Sequence, residues 1–368
     1  MTLYYEGGDM TILAAILGVA LICIILWDAF ETIVLPRRVT RKIRLTRLFY
    51  RNTWLAWSAV ARLMPAGKGR EAYRSVFGPL SLLLLLLVWA AGLVVGFACL
   101  HWGLGSLLNA PEATIGFGTD LYLSGTTFFT LGLGDITPRS PLARVLTVGE
   151  AGVGFGFLAL VIGYLPVIYQ AFSRREVNIT LLDARAGSPP TAAELLRRHS
   201  HDHGMEALQQ LLHEWERWAA ELLESHLSYP VLAFFHSQHD NQSWLAALTT
   251  ILDTSALVIV GVEGACQRQA ELTFAMARHA VVDLAQILSS PPRQPERDRL
   301  SIVELEQVRA ILAAAGLRLH EGSTADQKLV ELRQMYEPYV AAMSRYLGLT
   351  VPSWMVETQS KDNWQTTA

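Results

Sequence analysis

Three long apolar stretches limit what this chain can become. Residues 11–27 carry no charge, and the apolar pattern resumes past Asp28 and Glu31 up to Pro36. Residues 76–100 include six consecutive leucines, Leu82–Leu87, and residues 142–172 hold Glu150 as their only acid. Each stretch is long enough to cross roughly 30 Å of hydrocarbon as a helix. A backbone in lipid must satisfy its own polar groups, so a helix is the form open to each of them. The expected fold class is therefore an all-α membrane protein with three transmembrane helices, its hydrophobicity concentrated in the first 172 of 368 residues. No cleavable signal peptide is expected, because acids rather than bases precede the first stretch and it is long enough to stay in the bilayer.

Basic residues set the expected orientation. Residues 37–75 carry eleven Lys and Arg against one acid, Glu71. The amino-terminal tail has Glu6 and Asp9, the loop from His101 to Ser124 has Glu112 and Asp120, and neither has a base. The amino terminus and that loop are thus expected outside, with residues 37–75 and everything after Arg174 in the cytoplasm. Asp28 and Glu31 then fall near the inner interface, within reach of the basic segment. Membrane lipids are expected partners, whereas a net charge of −3 gives no reason to expect nucleic acid. Cys23 and Cys99 sit in apolar spans and Cys266 lies far away, so neither a disulfide framework nor a metal-binding spacing exists.

Between the second and third spans lies S-G-T-T-F-F-T-L-G-L-G-D-I-T-P, Ser124 to Pro138, too short and too polar to cross a bilayer. A permeating cation sheds its water, and oxygens at close quarters must replace that shell. Backbone carbonyls can do so only with unusual dihedrals and no intruding side chains. Glycine takes positive φ without a Cβ penalty, so alternating Gly132 and Gly134 let successive carbonyls point the same way. The Thr130 hydroxyl can add a further oxygen ring. Thr, Gly and Asp are also common in plain turns, but the full pattern between two spans argues against that reading.

Thr126, Thr127, Thr130, Gly132, Gly134 and Asp135 fall on T-T-x-x-T-x-G-x-G-D. Here the chain resembles the tetrameric pore-loop potassium channels, over roughly residues 76–172 and under a third of its length. The resemblance implies a pore module over residues 76–175, made of an outer helix, a pore helix, a filter and an inner helix. It implies a filter of Thr130, Leu131, Gly132, Leu133, Gly134 and Asp135, supported from the pore helix by Thr126 and Thr127. It also implies potassium as the permeant ion, no cofactor and a location in the plasma membrane, the inner membrane of a bacterium. One pore loop per chain, where such a filter needs four, implies a homotetramer. The chain departs from the family at Leu131, where Val or Ile is usual, and at Leu133, where an aromatic ring normally packs behind the filter. Weak selectivity, or a non-selective monovalent cation channel, is the alternative this raises.

His101 to Asp120 reads as an outer turret broken by Gly and Pro. Leu121 to Phe129 fits a short pore helix with Asp120 as N-cap, its carboxyl end favouring a cation through the helix dipole. The third span is dense in glycine: Gly149, Gly152, Gly154, Gly156 and Gly163, followed by Pro166. Small residues permit close helix packing. They also permit a bend, and the resemblance puts an inner-helix hinge on Gly154, with Gly152 and Gly156 as rivals and Pro166 as a second kink. Glu150 lies roughly 12 Å into this helix, a depth that sets it beside the pore helix. It is expected to brace that helix through Thr126 or Thr127, as a structural carboxyl or as a proton-sensitive gate on the filter.

Arg38, Arg41, Arg44 and Arg47 recur at every third position, the spacing of a voltage-sensing helix. Arg37 and Lys42 break its apolar face, however, and Thr40 and Thr46 stand where a sensor carries leucine or valine. An amphipathic helix on the inner leaflet is the favoured reading, anchored by Trp54, Leu55 and Trp57 with arginines meeting lipid phosphates.

After Arg175 the chain changes character. The expected organisation is an extracellular tail and first span over 1–36, the basic interfacial segment over 37–75 and the pore module. A linker over 176–192 and a cytosolic helical domain over 193–368 follow. Apolar residues recur at three and four spacing in Ala192–His199, Met205–Leu227, Ser243–Val260, Ala265–Leu288, Leu300–Leu317 and Ala325–Leu347. No strand–helix alternation or glycine-rich phosphate loop suggests a nucleotide-binding regulator. His199, His201, Asp202 and His203 form one polar cluster, and His236, His239 and Asp240 form another. Either can be read as a metal or proton site, or as solvated helix ends, the favoured reading. No nucleophile–base pair or paired carboxylates point to an enzyme. Two functions remain: a gated cation channel with an unidentified gating ligand or partner, acting through the inner helix or the filter, and a non-conducting membrane-anchored helical sensor or scaffold.

Overall fold

The structure, a computed structural model, describes residues 5–35, 44–110, 116–201, 203–237, 241–262 and 266–356. The chain divides into two compact units, Met1–Tyr169 and Gln170–Ala368. The first contains α1 (Tyr5–Ala29), α2 (Leu45–Leu63), α3 (Lys68–Gly103) and α4 (Phe117–Phe128). A two-stranded antiparallel ladder, β1 (Leu108–Asn109) with β2 (Thr137–Pro138), ties the segment before α4 to the segment after the filter motif. Helix α5 (Pro141–Ala186) contributes residues to both units. It continues past Ser173, so only residues 187–191 separate it from the next helix.

Helices α1 and α3 run antiparallel in close contact, and glycine is the reason. A Cβ on Gly18 would stand 2.6 Å from the Gly96 carbonyl, and one on Gly96 would stand 2.8 Å from Ile22. Near one end of the pair, Gly103 meets the backbone of Thr11 and Ala15. With no hydrophobic effect between helices in lipid, such close approach is how they gain contact. Further along, Ile25, Ala29, Leu85, Trp89, Leu93 and Phe128 form a buried cluster that Phe157 and Leu165 of α5 join.

The chain continues from α1 through a π-helical turn, Phe30–Val34, toward the basic segment. Buried Asp28 accepts from Trp89 Nε1 at 3.1 Å and from the backbone and hydroxyl of Thr46 at 3.1 and 2.5 Å. Glu31 accepts from Trp27 Nε1 at 2.8 Å and pairs with Arg44 at 3.4 Å. The two acids thus meet the basic segment, as expected from sequence. Of the regularly spaced arginines, Arg38 and Arg41 lie outside the described residues, as do Arg37, Thr40 and Lys42. Arg47 falls in α2, which docks lengthwise on α3 through Trp54–Phe77 and Trp57–Tyr73 ring contacts.

The second unit is helical: α6 (Ala192–Arg198), α7 (Gly204–Ser228), α8 (Trp244–Gly261), α9 (Gln267–Ile287), α10 (Ile302–Ala314), α11 (Ser323–Gln334) and α12 (Glu337–Leu347). The periodicity over Ala325–Leu347 predicts one helix where there are two. Pro338 sits in the first turn of α12, where its missing N–H costs nothing, but the residue before a proline resists helical dihedrals. Four helices among the described residues are long and apolar enough to cross a membrane: α1, α3, α5 and α8. Helix α8 differs from the others because every residue from Trp244 to Val260 is buried inside its own unit. An all-round apolar helix belongs either in lipid or in a core, and this one has a protein sheath. Its buried acid, Asp253, binds Arg299 at 2.6 Å and the Tyr336 hydroxyl.

Candidate ion-conduction site

Helix α4 starts at Phe117, with Gly116 as its extended N-cap. Asp120 is therefore not the N-cap: it lies one turn inside and is buried. An acid in the first turn still complements the positive end of the helix. At the other end, the Phe129 N–H bonds the Gly125 carbonyl and the chain turns sharply. Thr130 N donates to the Thr127 carbonyl at 3.0 Å, and Leu131 N to the Thr126 carbonyl at 2.8 Å. Thr126 and Thr127 thus hold the turn through their backbone. The Thr126 hydroxyl bonds its own helix at the Tyr122 carbonyl, 3.0 Å away.

Beyond the turn, φ is +57° at Thr130, +54° at Gly132 and +82° at Gly134. Left-handed residues at every second position, with ordinary ones between, turn successive peptide planes the same way. Glycine makes this cheap at 132 and 134, whereas Thr130 adopts it against its side-chain preference. Residues 129–135 are all exposed in the single chain, with Leu131 at 61% and Leu133 at 66%. Asp135 Oδ2 accepts from the Tyr122 hydroxyl at 2.9 Å, tying the end of the motif to α4.

Glu150 is fully buried in α5, facing α3 and α4. Its partner on α4 is Ser124, neither Thr126 nor Thr127. Ser124 Oγ also lies 2.7 Å from the Val94 carbonyl of α3. A hydroxyl has one proton, so both contacts are satisfied together when Glu150 carries a proton and donates to Ser124. The other carboxylate oxygen faces His101 Nε2 at 3.7 Å, and neither atom has a hydrogen-bond partner. His101 Nδ1 is 2.9 Å from Ser106 Oγ. Four residues further along α5, Gly154 lies against the last turn of α4, where a Cβ would collide with the Phe128 carbonyl. A Cβ on Gly149, Gly152, Gly156 or Gly163 would meet nothing within 4 Å beyond its own helix in the single chain. Helix α5 continues through Pro166, which is exposed.

Tyr122, Ser124 and His101 are the residues that sequence reasoning missed. His101 carried a signal, since an ionisable group at the end of an apolar span is costly unless used. Ser124 and Tyr122 carried none. In the second unit, His199 is buried and its Nδ1 bonds the Leu195 carbonyl at 2.7 Å, while His201 and His203 are exposed. Asp202, His239 and Asp240 lie outside the described residues, among which no three His, Cys, Asp or Glu side chains converge as a metal ion requires.

A short helix followed by a loop with left-handed residues at alternate positions, set between two long apolar helices, is the arrangement of the pore-loop class of membrane protein. Residues 83–170 match the ion channel family, and this segment is an ion-channel domain of the pore-loop type, from a family of channels and not of enzymes. With that domain and helices of this length, the chain is a multi-pass membrane protein. Over 190 residues it is 22% identical to the uncharacterized membrane protein YdjJ of Bacillus subtilis (strain 168). The match covers 51% of this chain and 55% of the relative, so the chain spans about half the length of the curated relative it matches. No solved structure matches it.

Proposed function

We propose that this protein conducts potassium through a pore built from four copies of the chain. Each copy would cross the membrane with α1, α3 and the first part of α5, with α4 and the filter dipping in from outside. The observation that carries the reading is the alternation of positive φ at Thr130, Gly132 and Gly134 in an exposed loop at the carboxyl end of α4. Such a loop has no use for its carbonyls within one chain, and a ring of four gives them an ion to coordinate. Val145, Val148, Phe155, Leu158 and Ile162 of α5 are exposed in the single chain, leaving apolar surface for neighbouring copies and lipid. The distribution of basic residues supports an outside amino terminus and a cytoplasmic second unit, and the family resemblance implies a bacterial plasma membrane.

Selectivity is the finer part of the proposal. Leu133 offers no hydroxyl to brace the filter, and the Tyr122–Asp135 hydrogen bond supplies one brace in its place. Gating would act through Glu150 behind the filter and through Gly154 and Pro166 along α5. The test is flux into liposomes. Wild type should pass potassium faster than sodium, and Gly132→Asp, which puts a side chain where φ is +54°, should abolish flux. Equal flux in both proteins, or none in either, removes the channel reading and leaves the membrane-anchored scaffold. Equal rates for the two ions leave a non-selective cation channel.

A further inference from the structure

The segment between α9 and α10 carries Pro291, Pro292 and Pro295, whose fixed φ angles stiffen it. The Arg293 N–H donates to the Pro338 carbonyl at 2.9 Å, which holds this segment against the start of α12. A pocket of about 290 Å³ lies between the two, wholly inside the second unit. Its charge comes from Arg293, Glu296, Arg299 and Arg345, and its apolar wall includes Pro295, Val340 and Ala341. Arg299 is the fixed part. Its Nη1 and Nη2 donate to Asp253, Glu337 and the Pro352 carbonyl at 2.6–3.3 Å, so its charge is already compensated and its donors are spent.

The other two arginines are not committed in this way. Arg345 Nη1 meets Glu296 at 3.0 Å in an exposed pair, and such a pair contributes little. The exposed Arg293 guanidinium has no hydrogen-bond or ion-pair partner among the described residues. The open side of the pocket therefore presents two guanidinium groups against one carboxylate, beside an apolar wall on a rigid floor. A guanidinium offers paired N–H groups that match the oxygens of a carboxylate or a phosphate. Small-molecule sites combine apolar walls with a few placed polar groups, and this volume is at the small end of their range. We propose that the pocket binds a small organic anion, a single ring or short carbon chain bearing a carboxylate or phosphate. The anionic group would sit at Arg293 and Arg345, drawing Arg345 from Glu296, with the carbon body against Pro295, Val340 and Ala341. The inference concerns the second unit alone and is independent of membrane topology and of conduction.

Titration calorimetry of the full chain in detergent tests it, with protein-free micelles as the blank. The probes are benzoate and phenyl phosphate, which separate a carboxylate site from a phosphate site. Benzyl alcohol and inorganic phosphate each carry half of the required chemistry. At least one of the two organic anions should bind, and more tightly than either control. Arg293→Gln/Arg345→Gln changes two exposed side chains and should weaken that binding by about tenfold or more. Ala341→Trp fills the pocket and leaves both arginines in place, and it should also lose the anion. Glu296→Gln removes the competing carboxylate and should tighten binding by about twofold or more. No heat above the blank from either organic anion, equal binding of a control, or unchanged binding in the double arginine variant would each overturn the proposal. Binding is read whether or not the protein passes ions, so a failed flux assay leaves this result standing.

Discussion

At the scale of single residues, Glu150 shows what a sequence can and cannot disclose. An acid inside an apolar span is conspicuous, and its depth beside α4 follows from helical rise. Its partners were not legible, because Val94, His101, Ser124 and Glu150 converge from three helices and no spacing in the chain relates them. Thr126 and Thr127 looked equally able to reach it. Side-chain direction on α4 decides for Ser124 instead. The Ser124 hydroxyl, shared between Glu150 and the Val94 carbonyl, makes this contact depend on whether the acid carries a proton. Glu150→Gln keeps a donor for Ser124 and cannot ionise. It should therefore conduct, but with the pH dependence of flux flattened relative to wild type. An unchanged pH profile in liposomes would remove the gating role and leave a structural brace.

Elements were more legible than contacts. The long apolar spans and most helices of the second unit follow from periodicity and from Gly and Pro breaks. The break before Pro338 and the early start of α4 at Phe117 do not stand out, because hydrophobic pattern continues across the first and the turret sequence masks the second. The packing of α4 on α5 was hidden for a related reason: a glycine-rich span reads the same whether its glycines touch helices or bend. Gly154 touches, since a Cβ there would meet the Phe128 carbonyl, whereas Gly163 has open space in the single chain. Alanine favours a helix over glycine by about 1 kcal/mol, and overpacking costs about 1–3 kcal/mol. Gly154→Ala should therefore lower the thermal midpoint in detergent, and Gly163→Ala should leave it unchanged or raise it. Equal midpoints for the two variants would mean that α4 moves aside freely, and Gly154 would then be open to a hinge role.

At the scale of the whole molecule, the two units bury charge in different ways, and this sets their response to acid. The first unit keeps Asp28 on hydroxyl, indole and amide donors and sets Glu150 beside the Ser124 hydroxyl. The second unit relies on cations: Arg299 holds Asp253, and Arg333 holds Asp298 and Glu337. It also buries a histidine. His226 Nδ1 is 2.8 Å from the Leu222 carbonyl and Nε2 is 3.4 Å from Arg175 Nη1, which can only donate, so the ring is neutral with its proton on Nδ1. Burial, and then the Arg175 charge, push His226 down to about 3 from an ordinary 6.5. Between those values the unfolded chain takes up a proton that the folded chain refuses, so stability is complete above about pH 6.5 and is lost as pH falls toward 3. Asp298 acts in the same direction. Burial alone would raise it, but the Arg333 hydrogen bond and the Leu300 N–H outweigh that and hold it below the usual carboxylate range. Glu337 acts in the opposite direction, because burial raises it despite Arg299 and Arg333. Substituting the histidine isolates its share. His226→Gln offers the Leu222 carbonyl a donor and takes up no proton, so its thermal midpoint in detergent should fall less steeply than wild type between pH 6.5 and 3. The difference should approach about 1.4 kcal/mol per pH unit. Parallel curves for the two proteins would mean that His226 is protonated in the folded state and that Arg175 moves away to admit it.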